Sequence, residues 1–568
     1  MCGIAGFVGQ DNYKIPLQAM LQLQHHRGPD FTGMYFDEDY AALGHNRLSI
    51  IDHGQQSNQP FVDNSKRYYL TFNGELYNYK ELKEELKHLY EFKTNSDTEV
   101  LLATYIIYGN SCLQKLNGMF AFAIWDSTTK KLFAARDRFG VKPFYYSHNN
   151  KTFVFASEIK TIFKSGIERK ANAQVWANYF SFGSYGQPNQ TFWKDIHQLA
   201  GGHYLELIDN KLNIVKWYDF VEAINNQDLV SGYEEAKEIY SKLLLETITL
   251  RFRADVPVGF NLSGGLDSSA LLALVNISQN NTEDIEAFTF YTNDERYDEL
   301  PWVEQMINSY KNPLNRILLS SSEAIDSARF ISDIQDEPFG GIPTLAYAKI
   351  FKQAANKGIK VLLDGQGMDE QLAGYDYYTL NNESTIQGIK NNPFRINMLS
   401  REFLKVSSKP KFEAPFDNSI QNLQYRDLFY TKIPRALRFN DRVSMAYSTE
   451  LREPFLDYKL VEFAFGLPLE YKIKDGKNKR ILRDTIYKFI PNEVSYAPKR
   501  PLQTPQREWL ANELKEFVAN HITALKSSNY KNWFNENEID YEWKLYLNGD
   551  KQSSFHIWQL VNFSLLMS

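Results

Sequence analysis

The chain has 568 residues, with 63 Lys and Arg against 69 Asp and Glu for a formal charge of −6, a balance that argues against a nucleic-acid or acidic-membrane partner. Hydrophobic residues make up 43% and aromatic residues 15%, ample for packed cores and too much for intrinsic disorder. Cys2 and Cys112 are the two cysteines, which excludes a disulfide scaffold and a cysteine-rich zinc module.

At about 150 residues per domain the length suggests three or four domains, or fewer where one is a large α/β unit. There is no run of about 18 apolar residues and no basic-then-apolar leader, so the expectation is a soluble cytoplasmic protein without membrane attachment.

In chain order, residues 1–182 carry short apolar runs broken by turns: Ile4 to Val8, Tyr68 to Phe72, Phe120 to Trp125, Leu132 to Ala135 and Thr152 to Ala156. Helical patterns over Tyr79 to Leu89 and Asp97 to Tyr108 interrupt them, with Asp97 read as a helix cap. This is the pattern of an α+β domain. Residues 183–230 are irregular and read as a linker, with Gly201-Gly202 and a polar stretch from Asn225 to Ser231. From 231 to 568 strands and helices first alternate, as in a doubly wound parallel sheet. The helix Tyr233 to Arg253 leads into strand Val256 to Leu262 and helix Leu266 to Ile277. Strands Glu286 to Tyr291, Asn315 to Leu319 and Ile359 to Leu363 follow, interleaved with helices Pro301 to Tyr310 and Ala346 to Ala355. Beyond about 378 the periodicity is mainly helical.

Cys2 follows the initiator Met, and removal of that Met leaves a thiol and an α-amine on one residue. Such an N-terminal nucleophile carries its own base, because the thiolate attacks and an amine with pKa of about 7.7–8 takes its proton. Alone, Cys2 reads equally as a small apolar residue on the first strand. Its company is Cys2-Gly3-Ile4, Arg27-Gly28-Pro29-Asp30, His45-Asn46-Arg47-Leu48-Ser49-Ile50, Asn73-Gly74-Glu75 and Ser96-Asp97. Together these resemble the class II glutamine amidotransferase domain, which hydrolyses glutamine to glutamate and ammonia on stacked β-sheets with helices. The resemblance implies that Arg47 pairs with the glutamine α-carboxylate, with Leu48 and Ile51 beside it, and that Asp97 binds the α-ammonium. It places Glu75 in the same binding loop, and Asn73 with the Gly74 N–H as the oxyanion hole.

The second constellation is Ser263-Gly264-Gly265-Leu266-Asp267-Ser268-Ser269, between a strand and a helix. Glycines let a backbone approach phosphate, the helix N-terminus supplies N–H groups, and the serines add donors. No Gly-Lys-Ser/Thr ending is present, so a Walker-type kinase or GTPase is not supported. The loop resembles that of ATP pyrophosphatases, which activate a substrate as its adenylate. By that resemblance Leu262, Ser263, Gly264, Gly265, Asp267, Ser268, Ser269, Phe290, Asp364, Gly365 and Lys479 contact ATP, and Asp267 and Asp369 hold Mg²⁺. Lys479 also takes charge on the α-phosphate and the tetrahedral intermediate. Either Asp reads otherwise as a helix cap, and Lys474 to Arg480 as a solvated basic face. Asp441 to Ala446, Glu450 to Asp457 and Lys499-Arg500-Pro501 complete the likeness.

The two halves together resemble glutamine-hydrolysing asparagine synthetases, which implies glutamine, Mg-ATP and aspartate as substrates, a cytoplasmic homodimer, and a water-poor passage for ammonia. Two departures bear on the acceptor. Gln366 stands where family members carry a Glu proposed to accept a proton from attacking ammonia, and an amide cannot do so. Phe339-Gly340-Gly341-Ile342 falls where they carry Thr-Thr-x-Arg for aspartate, leaving acceptor-side roles for Gln366 and Glu370 open. The alternatives are amidation of another carboxylate, such as a uronic acid of a surface polysaccharide, and a non-catalytic nucleotide-binding paralogue.

Overall fold

The computed structural model describes residues 1–9, 13–37, 40–149, 151–228, 230–279, 282–379, 392–495, 504–550 and 553–567. Lys499-Arg500-Pro501 lies outside the described residues. Seventeen described strands form three sheets. They are β1 (Gly3–Gly9), β2 (Phe31–Asp37), β3 (Ala41–Arg47), β4 (Phe61–Val62), β5 (Tyr68–Leu76), β6 (Gly118–Asp126), β7 (Lys131–Arg136), β8 (Tyr145–His148), β9 (Thr152–Ala156), β10 (His197–Gln198), β11 (His203–Ile208), β12 (Lys211–Lys216), β13 (Val258–Asn261), β14 (Ala287–Tyr291), β15 (Leu314–Leu318), β16 (Val361–Leu363) and β17 (Glu450–Arg452).

Two six-stranded antiparallel sheets, ordered β10-β8-β9-β1-β3-β2 and β12-β11-β7-β6-β5-β4, share a core of inward residues including Ile4, Leu43, Ala121, Trp125, Phe153 and Phe155. The apolar runs of β6, β7 and β9 are buried on both faces, the pleat sending every second side chain to that core and the others to the packing on the opposite face. The segment 183–230 is not a linker, because β10, β11 and β12 lie within it and extend the two sheets. Its strands hide from pattern reading because β12 is a sheet edge with no buried residue.

The third sheet is five-stranded and parallel, in the order β15-β14-β13-β16-β17. Strand order switches direction at β13 and β16, so the loops after these two strands flank a crevice at their carboxyl ends. Helices pack on this sheet and dominate the C-terminal part. The helix Phe555–Met567 is buried almost all round, and Trp176, on the helix Ala173–Phe182, packs its ring 4.8 Å from that of Phe563. Among the described residues no helix is long and apolar enough to cross a membrane.

Candidate active sites

Cys2 immediately precedes β1, whose pairing with β3 sets Gly3 opposite Asn46. It is 6% exposed. Its N–H donates to Asn73 Oδ1 at 3.1 Å, which leaves the Asn73 Nδ2 buried without a partner. The Sγ lies 4.0 Å from the Leu48 carbonyl. Burial pushes the thiol above its ordinary range, with the terminal ammonium as the leading opposing influence. That ammonium belongs to Met1, which is itself buried and pairs with Glu450 Oε2 at 2.9 Å.

Two sequence expectations change here, at Asp97 and Glu75. Asp97 is the first residue of its helix, not the cap. Ser96 is the cap, accepting from the Thr98 N–H, and Asp97 Oδ2 accepts from the Leu76 N–H at 2.9 Å. Arg47 is engaged by the loop it starts: its guanidinium donates to the carbonyls of Ile51, Asp52 and Gly54 and to Asn58 Oδ1. Glu75 sits within β5, beside Gly74, rather than in a loop, and pairs with Arg452 of β17 at 3.2 Å.

Arg452 also holds Glu450 at 2.6 Å, so a buried chain of charges joins the Cys2 site to the third sheet. Burial, then the Asp97 charge, pushes the Glu75 carboxyl well above its ordinary range against the pull of Arg452. Burial foremost pushes Asp97 up to about 6.

The second site lies at the carboxyl ends of β13 and β16. The loop after β13 folds on itself, with Ser268 Oγ donating to the Ser263 carbonyl at 2.8 Å. The Gly264 N–H donates to Glu299 Oε2 at 3.1 Å, so a carboxylate already occupies part of the anion cradle. Nothing local in the sequence marks Glu299 for this place. Ser269 departs from expectation: it is fully buried, its Oγ has no partner, and it does not line the pocket that Ser263, Gly264, Gly265, Asp267 and Ser268 share. As the fourth residue past the Gly265 cap, it faces the core side of the helix.

This pocket, of about 420 Å³, is also lined by Asp364, Gly365, Gln366, Asp369, Glu370 and Lys479. Leu262 and Phe290 line a small adjoining cavity of about 40 Å³ with Tyr347. Lys479 is not on a solvated helix face. It precedes the helix Arg480–Ile486 with φ of 56°, a left-handed backbone that costs a non-glycine residue about 1–3 kcal/mol. Its ammonium reaches both Asp267 oxygens at 2.7 Å and Asp369 Oδ1 at 2.5 Å. Burial lowers the amine's pKa, but the two carboxylates outweigh it and hold it above its ordinary range.

Gly374 makes that convergence possible, since a Cβ there would stand 2.0 Å from Asp369 Oδ1 and 2.3 Å from Lys479 Cε. Asp364 accepts from the Tyr347 hydroxyl at 3.0 Å, and Glu370 from the Tyr375 hydroxyl at 2.7 Å. Burial, then Asp369, pushes Glu370 up to about 7.

Two carboxylates meeting at one cation position suit Mg²⁺. Among the described residues no group of three or more His, Cys, Asp and Glu side chains could enclose a metal. Where expected aspartate contacts fall, Phe339 is fully buried, and a Cβ on Gly341 would collide with Gln506.

Other quoted motifs clamp the two halves. Arg27 pairs with Asp441 at 2.9 Å and with Glu158 at 3.1 Å, all three buried. Lys142 donates to the Leu451 carbonyl at 3.2 Å. A small cavity of about 20 Å³ lies between the halves, lined by Tyr77, Met119 and Val141 on one side and by Arg251, Glu453 and Leu456 on the other.

The chain matches the family model described as glutamine amidotransferase domain over residues 1–218 and the one described as asparagine synthase over residues 240–568. It is 30% identical over 543 residues to asparagine synthetase (glutamine-hydrolyzing) 3 of Bacillus subtilis, covering 88% of this chain and 86% of that relative. It is 30% identical over 590 residues to the synthetase numbered 1 of the same organism, covering 93% and 91%. To amidase chry2 of Gibberella zeae it is 28% identical over 635 residues, covering 93% and 92%.

Proposed function

Because the chain belongs to the glutamine-hydrolysing asparagine synthetase family and is an ATP-dependent carbon–nitrogen ligase with glutamine as nitrogen donor, we propose that Cys2 releases ammonia from glutamine while the loop after β13 activates an acceptor carboxylate. The relatives' names make aspartate the acceptor of first resort and asparagine the product. The observation that carries the reading is the pair of neighbouring strands β16 and β17. One ends in the nucleotide pocket and the other brings Glu450 to the Met1 ammonium and Arg452 to Glu75.

Removal of Met1 gives Cys2 its own α-amine as base and vacates a buried slot with an acidic surround of Glu450, Glu75 and Asp97, suited to glutamine's α-ammonium. Arg47 takes the α-carboxylate by exchanging contacts with the 51–58 loop. The free Asn73 amide N–H and the Gly74 N–H stabilise the oxyanion of the thioester-forming step.

In the second pocket the Ser263–Ser268 loop cradles phosphates, Phe290 and Leu262 flank the nucleoside, and Lys479 stabilises charge where it develops. Asp267 and Asp369 would hold Mg²⁺, which when bound offsets the triphosphate charge. The cavity of about 20 Å³ serves as a station on the ammonia passage.

A second reading, amidation of a carboxylate other than aspartate, is favoured by the amide at Gln366 and by the uncharged 339–342 segment. The test is an assay with glutamine, Mg-ATP and aspartate. Acceptor-dependent AMP and pyrophosphate are expected, and ADP as the product rejects the reading. In the Cys2→Ala variant glutamine hydrolysis is expected to fall on the order of 10³-fold or more, while synthesis from added ammonia persists. An unchanged rate makes the cysteine structural.

A further inference from the structure

Next to the nucleotide pocket the protein has room for far more than an amino acid. A cavity of about 1380 Å³ opens beside β8 and β10, bounded by residues 181–189, 409–414 and the helix Lys432–Met445. That exceeds the roughly 300–1,000 Å³ that holds drug-sized ligands. Arg435 lines both this cavity and the nucleotide pocket.

Among the described lining residues eight are Lys or Arg, and Glu413 is the one carboxylate. Arg136 donates to the carbonyls of Lys142, Leu199 and Gly140, and Arg138 to those of Leu116 and Gln114, so backbone oxygens orient both guanidinium groups. Arg435 lies 5.9 Å from the Tyr185 ring and has no hydrogen bond or carboxylate partner among the described residues.

The walls offer flat aromatic faces at Tyr185, Phe394, Phe412 and Phe429. Cations and stacking faces together describe an acidic saccharide.

We propose that the acceptor is a uronic-acid carboxylate carried on a larger saccharide that occupies this cavity, with Arg435 delivering the carboxylate into the nucleotide pocket. Arg435 thereby supplies the cation that the 339–342 segment lacks. The proposal rests on the ligase reading above. An acceptor oxygen bonds the α-phosphorus of ATP as pyrophosphate leaves. The ammonia nitrogen then bonds the acyl carbon as AMP leaves, and the surplus proton passes to a phosphate oxygen.

The test measures pyrophosphate release by the full-length protein with glutamine, Mg-ATP and one of three acceptors: aspartate, UDP-glucuronate or trigalacturonate. One saccharide is expected to exceed aspartate in kcat/KM by about tenfold or more; which one responds separates a nucleotide-linked sugar from an oligosaccharide. Arg435→Gln is expected to raise that acceptor's KM about tenfold with little change in kcat, and Lys411→Gln, also on the cavity wall, to raise it less. Aspartate outperforming both saccharides, or an unchanged KM in Arg435→Gln, overturns the proposal and leaves the ligase reading standing. Silence with all three acceptors overturns both.

Discussion

Asp97 shows how one residue carries two opposed demands. A carboxylate in the first turn is favoured by the helix dipole and accepts the Leu76 N–H, yet burial pushes it up to about 6. Its ordinary value is 3.8, so between about pH 4 and 6 the native state holds a proton that the unfolded chain has released, and stability is withdrawn as pH rises through that window. Binding an ammonium needs the ionised form. The KM for glutamine is therefore expected to be flat above about pH 7 and to climb toward tenfold per unit below about pH 6. In Asp97→Asn the KM should be raised throughout and the acid limb should vanish. Steady-state glutaminase kinetics across pH 5 to 8 check this, and a limb surviving in the variant assigns the titration to another group.

At the scale of elements, β17 shows why part of the site escapes a sequence reading. It is three residues long, Glu450–Arg452, all buried, too short for any period to register, and it lies in a region whose longer elements are helical. Its charges are nevertheless the bridge between the sites. Arg452→Met strands Glu75 and Glu450 in the interior, and breaking such a buried pair costs about 3–5 kcal/mol; a clear fall in the thermal unfolding midpoint is expected, and an unchanged midpoint would show the carboxylates neutral without it.

What the sequence does disclose follows from local physics. The strand, glycine loop and helix at 258–278 are written in consecutive residues, and the helix Asp97–Tyr108 lies at its expected position. Arg452 on Glu75 and Glu299 on Gly264 are long-range pairings, for which no neighbouring residue leaves a trace. Arg47's engagement with residues 51–58 is local, but it depends on where four carbonyl and amide oxygens point, which no residue pattern encodes.

The whole molecule is built so that the two sites cannot drift apart. The Arg27–Asp441 pair fastens the N-terminal half to the helix Lys432–Met445, and the Lys142 contact to the Leu451 carbonyl fastens it to β17. The helix Ala173–Phe182 also inserts Trp176 among C-terminal aromatics. Between them the cavity of about 20 Å³ is just large enough for one water-sized molecule. Among its polar wall residues, Glu453 is 4% exposed, and burial, reinforced by Asp364, pushes its carboxyl well above the ordinary range, while burial also raises Asp137. Shifts in that direction disfavour the carboxylates that would trap ammonium as an ion pair. Val141 lines the same cavity, and Val141→Phe adds more volume than the space holds, at a packing cost of about 1–3 kcal/mol. Glutamine hydrolysis and ammonia-supported synthesis are each expected to stay within about twofold of the parent, while glutamine-supported synthesis falls about tenfold or more, as for a lost transfer step. The glutamate-to-pyrophosphate ratio measures the uncoupling directly; a ratio unchanged from the parent, in a variant whose thermal midpoint shows it folded, places the nitrogen route elsewhere in the interface.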